Sequence, residues 1–242
     1  MERADRAPVA TFFVPGAWTE RVELDAGAAH HAQVKRLVQG DRIRLSDGEG
    51  RRVVGTLDVM TKRRVEITID EADVEHVEPL PEIELWAPVA DRERMLTFAE
   101  KAVELGASVW RPVVYRRSRS VTPRGEGTAF AEKTRVRMVN ALEQCGAAWL
   151  PQQLPESDLA SALDSTDGGI LLDAEGEPFE AAYATAPSPL RIALGPEGGL
   201  EPEERASFER AGWRLARLGD NVLRFETAGI AALAVARSLL MR

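Results

Sequence analysis

The hydrophobic pattern changes period once, at Val77-Glu78-Pro79-Leu80-Pro81, and this switch constrains the fold more than any other feature. Two prolines in three residues break both helix and sheet, so the segment reads as a linker. It divides the chain into residues 1–76 and 77–242. Before it, Thr11-Phe12-Phe13-Val14, Arg42-Ile43-Arg44-Leu45, Val53-Val54-Gly55-Thr56-Leu57 and Arg64-Val65-Glu66-Ile67-Thr68-Ile69 read as short strands. Apolar and polar residues alternate in the second and fourth, as half-buried antiparallel strands require. Asp47-Gly48-Glu49-Gly50 is a strong turn signal between them. One short helix, about Ala28 to Val38, ends near Gly40. Short strands with tight turns imply a small β-barrel.

After the linker, short apolar runs alternate with helical periodicity. Ile83–Val89, Val109–Val114, Ile170–Asp173, Arg191–Leu194 and Arg214–Leu218 read as strands. Arg92–Leu105, Ala129–Gln144, a segment from about Glu201, and Thr227–Met241 read as helices. This order implies a parallel sheet with helices on both faces. Ligands of such sheets bind at the carboxyl ends of the strands.

A net charge of −8 argues against a protein that coats nucleic acid indiscriminately. The charge is unevenly spread, however. Lys35 to Arg64 holds nine Lys/Arg against four acids, and Arg111 to Arg137 holds eight against two. Met138 to Glu209 holds two against fourteen. The basic runs are either solvated faces or a localised phosphate-binding surface. Cys145 is the only cysteine, which excludes an intrachain disulfide and a Cys-rich zinc site, and it reads as a small buried side chain at a helix end. With His30, His31 and His76 as the only imidazoles, no metal is expected. Met1-Glu2-Arg3-Ala4-Asp5-Arg6 lacks the apolar stretch of a secretion signal, and no apolar run approaches the ~20 residues of a membrane span. The chain reads as cytoplasmic.

Two segments carry chemistry. Leu194-Gly195-Pro196-Glu197-Gly198-Gly199 follows a strand and precedes the helix opened by Glu201-Pro202-Glu203-Glu204. Its glycines let backbone approach a ligand closely, yet it lacks the Lys-Ser/Thr of a nucleoside triphosphate loop. By itself it is a tight turn or a ligand loop. Leu218-Gly219-Asp220-Asn221-Val222-Leu223-Arg224-Phe225-Glu226-Thr227-Ala228 likewise leads from a strand into a helix. Arg224 and Glu226 read there as site residues or as an ordinary surface ion pair. Both segments fall at the same sheet edge, where one pocket can use both.

The Gly195–Gly199 loop followed by Leu223-Arg224-Phe225-Glu226-Thr227-Ala228 resembles the RsmE-type methyltransferases, SPOUT-class enzymes that methylate a uridine ring nitrogen in 16S ribosomal RNA. His30-His31-Ala32-Gln33-Val34-Lys35-Arg36-Leu37, Gly40–Gly48, Lys101–Gly106 and Glu143-Gln144-Cys145 occur in the family's order. Two positions depart from it: Phe225 stands where the family usually has Thr, and Gly146–Pro151 lacks a frequent Arg. The resemblance implies a PUA-like barrel followed by a SPOUT α/β domain with a C-terminal trefoil knot, although patterning alone implies an unknotted sheet. It also implies a homodimer and S-adenosylmethionine as cofactor. Leu194, Gly195, Gly198, Gly199, Leu218, Gly219, Leu223, Thr227 and Ala228 are then the cofactor-binding candidates. Lys35, Arg36, Arg42, Arg116, Arg117 and Arg119 are the RNA-binding candidates.

Methylation of a uracil imide nitrogen requires loss of its proton and stabilisation of charge on the flanking carbonyls. Arg224 is the electrostatic candidate, and Glu197 and Glu226 are the carboxylates in the two loops. Sequence does not choose between them as base. The same residues fit a SPOUT enzyme with another RNA target, or a relative that binds RNA without catalysis.

Overall fold

The computed structural model describes residues 7–24, 26–61, 64–120 and 123–241, with the side chains of Arg119 and Ser120 excepted. Expectations for Met1–Arg6 therefore lie outside the described residues. The chain forms two compact units, Met1–Pro79 with Val139–Leu150, and Leu80–Met138 with Pro151–Arg242. The division thus falls within the Pro-rich segment, but Val139–Leu150 joins the first unit, which the two-segment reading at 76/77 did not include.

The first unit contains β1 (Ala10–Phe13), β2 (Arg21–Leu24), α1 (Ala26–Val34), β3 (Arg42–Ser46), β4 (Arg51–Met60), β5 (Val65–Thr68) and β6 (Glu75–His76). Its sheet runs β1-β3-β4-β5-β2, with β6 also on β4. Phe12, Ile43, Leu45, Val53, Leu57, Val65 and Ile67 fill one core. The β3–β4 turn is fixed by Asp47, whose carboxylate accepts the amides of Glu49 and Arg51 at 2.8 and 3.0 Å. Val139–Leu150 belongs here because its backbone completes this turn: Gly50 donates to Ala148 O and Leu150 donates to Gly48 O. Trp149 lies over Gly50, where any Cβ would come within 2.5 Å of the indole. The helix expected to reach Val38 stops at Val34. Arg36 takes a left-handed φ of 56°, and the amide of Leu37 turns back to Ala32 O, burying Leu37.

The second unit comprises β7 (Ile83–Pro88), α2 (Arg92–Glu104), β8 (Val109–Val114), a 3-10 helix (Arg116–Ser120), the first turns of α3 (Thr128–Cys145), β9 (Gln152–Gln153), β10 (Ser157–Asp158) and α4 (Leu159–Leu163). It continues with β11 (Ile170–Pro178), α5 (Phe179–Tyr183), β12 (Leu190–Leu194), α6 (Pro202–Arg210), β13 (Arg214–Arg217) and α7 (Phe225–Leu240). The sheet order is β10-β8-β7-β12-β11-β13, with β9 also on β8, and every pairing is parallel. Helices cover both faces, as the alternation predicts. Trp86 packs with Phe208 of α6 on one face, and Trp110 packs with Phe98 of α2 on the other. Cys145 closes α3 but is exposed rather than buried, lying past the buried stripe of Met138, Ala141 and Leu142. Among the described residues no helix is long and apolar enough to cross a membrane.

Two features dock α7. Gly229 faces Phe98, whose ring would lie 2.3 Å from any Cβ there. The buried Arg237 donates to Leu105 O at 3.3 Å and to the carbonyls of Pro81 and Gly106. Burial holds its pKa below the ordinary guanidinium value. The carbonyls at the carboxyl end of α2 also favour a cation. Arg237→Met keeps the apolar stem but orphans these acceptors, so we expect a loss of at least about 2 kcal/mol. Urea unfolding with an unchanged m-value measures it; wild-type stability in the variant would refute the role.

Candidate functional site

The first turn of α2, the middle of β11 and the loops after β12 and β13 converge at the carboxyl edge of the parallel sheet. They enclose a cavity of about 500 Å³, within the range of small-molecule sites. Leu172, Leu194, Leu200, Ala216, Leu218, Leu223 and Phe225 give it apolar walls. Arg94, Asp173, Glu197, Arg205, Arg217 and Arg224 supply charge.

Both loops singled out in the sequence meet here. Leu194, Gly195, Gly199, Leu218, Gly219, Leu223 and Ala228 line the cavity; Gly198 and Thr227 do not. Gly199 has φ +72°, a conformation that disfavours a side chain, and a Cβ on Gly195 would sit 3.2 Å from Leu200. Phe225 is buried and packs edge-on to Phe98 at 6.5 Å, so this departure from the family pattern serves the α2–α7 core.

The glycine loop is held at both ends. Glu204, buried in the first turn of α6, accepts the amide of Glu201 through Oε2 at 2.9 Å. Its Oε1 accepts the amide of Arg116 at 2.8 Å, which ties α6 to the segment after β8. Arg117 Nη1 donates to Gly198 O at 2.7 Å, and its Nε donates to Glu201 at 2.8 Å. Burial, then the charge of Glu204, pushes the Tyr115 hydroxyl well above its ordinary pKa.

Glu197 lines the cavity; Glu226 stands beside it without being part of the lining. Arg94 Nη1 is 3.5 Å from Glu197 Oε1, and Arg94 Nε is 4.0 Å from Glu226 Oε1. Glu226 therefore faces Arg94 rather than Arg224. Among the described residues the Arg224 guanidinium has no hydrogen bond or ion pair, and it lies on the cavity wall. Asp173 ends the apolar run of β11 and stands 3.6 Å from Arg205 Nε. The hydrogen bond that Arg205 donates to Glu175, with the charges of Asp173, Glu175 and Glu209, holds the Arg205 pKa above its usual value.

Arg94, Asp173 and Arg205 escaped the sequence reading. Position alone could have flagged Asp173, since it ends the apolar run of β11 at the ligand-binding edge. Arg94 carries a stronger signal: it is a cation in the first turn of a helix, where the dipole favours acids.

The basic residues behave differently in the two units. In the second, Arg111, Arg116, Arg117, Arg124, Lys133 and Arg137 all form ion pairs within the unit. Arg119 lies in the 3-10 helix, its side chain outside the described residues. In the first unit, Lys35 and Arg36 are exposed and Arg42 is half-buried. These three and Arg44 make no ion pair among the described residues, and the Nε atoms of Arg42 and Arg44 lack hydrogen-bond partners.

A parallel sheet with glycine-lined turns closing a mixed apolar and charged cavity defines a ligand-binding α/β domain. Residues 77–237 match a family model described as an RNA methyltransferase domain, and residues 24–70 match one described as an RNA methyltransferase PUA domain. The chain belongs to this RNA methyltransferase family. It is 31% identical over 118 residues to ribosomal RNA small subunit methyltransferase E of Treponema pallidum. That match covers 45% of this chain and 44% of the relative, so the chain spans a little under half of the curated relative it matches. The structure is similar to that of a ribosomal RNA small subunit methyltransferase E from Neisseria gonorrhoeae bound to S-adenosyl methionine. The TM-score is 0.83 at 26% identity, over 95% of this chain and 97% of that one. A putative methyltransferase from Legionella pneumophila in complex with the same cofactor also gives 0.83, at 27% identity, over 97% and 98% of the two chains.

Glu204→Ala leaves the amides of Glu201 and Arg116 without their acceptor. We expect a loss of about 1–2 kcal/mol and faster hydrogen exchange at both amides. Unchanged exchange at these two positions would show that Glu204 does not hold the loops.

Proposed function

We propose that the chain transfers a methyl group from S-adenosylmethionine to N(3) of a uridine in 16S ribosomal RNA. The observation that carries this reading is the carboxyl-edge cavity closed by the Gly195–Gly199 and Leu218–Ala228 loops, in a chain of the RNA methyltransferase family. The cavity fits the cofactor by its chemistry. Leu172, Leu194, Ala216 and Leu218 offer apolar surface to an adenine ring, and the glycine turn offers backbone groups. Asp173 suits a ribose diol, and the guanidinium groups of the cavity suit the carboxylate of the methionine tail.

When bound, the cofactor supplies an electrophilic methyl group, so neither a metal nor a covalent enzyme intermediate is needed. The protein must align the uracil and manage charge. Arg224, Glu197 and Glu226 are the catalytic candidates. Arg224 has a fixed backbone at the start of α7 and an unpaired guanidinium on the cavity wall. It is suited to donate to a uracil carbonyl as negative charge develops there.

The first unit, around residues 1–76, serves in this reading as the RNA-binding domain, and residues 77–242 as the methyltransferase domain. Lys35, Arg36 and Arg42 meet phosphate, with Arg116, Arg117 and Arg119 contributing from the second unit. Among the described residues Lys35, Arg36 and Arg42 form no ion pair, which supports this, because no such partner has to be displaced. The enzyme acts in the cytoplasm as a homodimer without metal, and the exposed Val222 and Leu223 offer apolar surface to a second copy. We also propose that the C-terminal segment is knotted.

Incubation with S-adenosylmethionine and 16S RNA or small subunits, followed by mass mapping of uridines, tests the activity. No methylated uridine in either substrate would reject it. Gly199→Val forces the loop out of its left-handed conformation, so we expect a folded protein with markedly weaker calorimetric binding of S-adenosylmethionine. Equal affinity would place the cofactor elsewhere. Arg224→Ala should lower single-turnover methylation by about 10²–10³ at saturating cofactor, with Lys restoring only part. A wild-type rate would remove Arg224 from the chemistry.

A further inference from the structure

The two carboxylates beside the cavity are not equivalent. Glu197 Oε1 accepts the amide of Asp91 at 3.2 Å and stands 3.5 Å from Arg94. Among the described residues, Glu226 has only the 4.0 Å approach of Arg94 to its Oε1, and its Oε2 is buried without a hydrogen-bond partner. Native structures rarely leave a buried acceptor unpaired, and such an atom commonly marks a functional role. Arg94 is itself misplaced for helix stability, since it puts a cation in the first turn of α2. Its position makes sense as a clamp between carboxylates from two different loops.

We propose that Glu226 accepts the imide proton of the uracil and that Arg94 is the positioning residue that holds it, with Glu197 anchoring Arg94 to the glycine loop. This deepens, and rests on, the methyl transfer proposed above. The imide N–H bond breaks and its proton passes to the Glu226 carboxylate. The nitrogen electron pair forms the new bond to the methyl carbon, and the electrons of the methyl–sulfur bond remain on sulfur as a neutral thioether. A neutral imide, a carboxylate and a sulfonium thus become an N-methyl imide, a carboxylic acid and a thioether, with no charge left over. Glu197 is less suited to this role because its Oε1 already accepts from Asp91 and faces Arg94.

The charged surroundings of Glu226 are simple. α7 packs on α2, β7 and β12. Among the described residues of these elements, only Arg94 comes within ion-pair distance of Glu226, and Glu197 lies beyond it. Glu226→Gln keeps the shape but cannot take a proton. Its turnover should fall by about 10²–10⁴ at neutral pH, the range expected for loss of a general base. It should recover toward wild type at alkaline pH, where the imide ionises unaided. Arg94→Ala should cost up to about 10², the scale of a misplaced catalytic group, and Lys should restore part of it. Arg94→Ala added to Glu226→Gln should slow turnover little further, because both act on one proton transfer.

Melting temperature and calorimetric affinity for S-adenosylmethionine, within about threefold of wild type, should be retained in Glu226→Gln. A wild-type rate for Glu226→Gln, a deficit that does not shrink with pH, loss of cofactor affinity, or full multiplication of the two defects would each overturn the assignment. If wild type neither binds S-adenosylmethionine nor methylates RNA, the proposed function fails instead.

Discussion

The carboxylate of Glu204 joins two segments that strand pairing alone cannot bring together. β8 and β12 both flank β7, so the segments that follow them leave the sheet on either side of a third strand. One oxygen of Glu204 accepts the first amide of the α6 entry, and the other accepts the amide of Arg116 after β8. A buried carboxylate is tolerable here because both oxygens have donors and the helix N-terminus favours negative charge. Arg117 returns the connection by donating to Gly198 and Glu201. The glycine turn is therefore fixed before any ligand arrives, and the cavity wall it forms is preorganised.

The same pairing explains the charge distribution along the chain. The acid-rich stretch from Met138 to Glu209 supplies Glu201 and Glu203 to Arg117 and Arg116, and Asp173 and Glu175 to Arg205. Glu177 beyond the β11 shift holds Arg214. Arg111, Arg124, Lys133 and Arg137 of the basic run pair instead with Glu84, Glu126, Glu93 and Glu100, outside the acid-rich stretch. A basic run in the sequence is evidence of a phosphate surface only where its partners are missing. That condition is met among the described residues by Lys35, Arg36, Arg42 and Arg44 in the first unit.

The strand–helix alternation after Pro81 and the two loops at the sheet edge were legible because both follow from local rules. Strands of a parallel sheet are continuous apolar runs, and glycines mark turns where backbone must approach closely. What sequence concealed depends on contacts distant along the chain. Nothing local in Val139–Leu150 announces that its backbone completes the turn at Gly48–Gly50. The early end of α1 depends on Arg36 adopting a left-handed conformation, which glycine usually supplies, so Gly40 was the natural but wrong stop signal. Arg94 was missed because a single cation in an amphipathic helix looks solvated until its carboxylate partners are located.

The paired basic loop and the first-unit arginines that lack ion pairs among the described residues need not be rival readings of RNA binding, since the energies differ. An exposed ion pair contributes only about 0–1 kcal/mol, and the Arg116 side chain remains 66% exposed beside an equally exposed Glu203. A phosphate can displace such a partner at little cost. Arg117 is different, because its guanidinium also holds the Gly198 carbonyl, and withdrawing it would loosen the glycine loop. Arg116 can therefore exchange partners freely, whereas displacing Arg117 would release Gly198 and the cavity wall it holds.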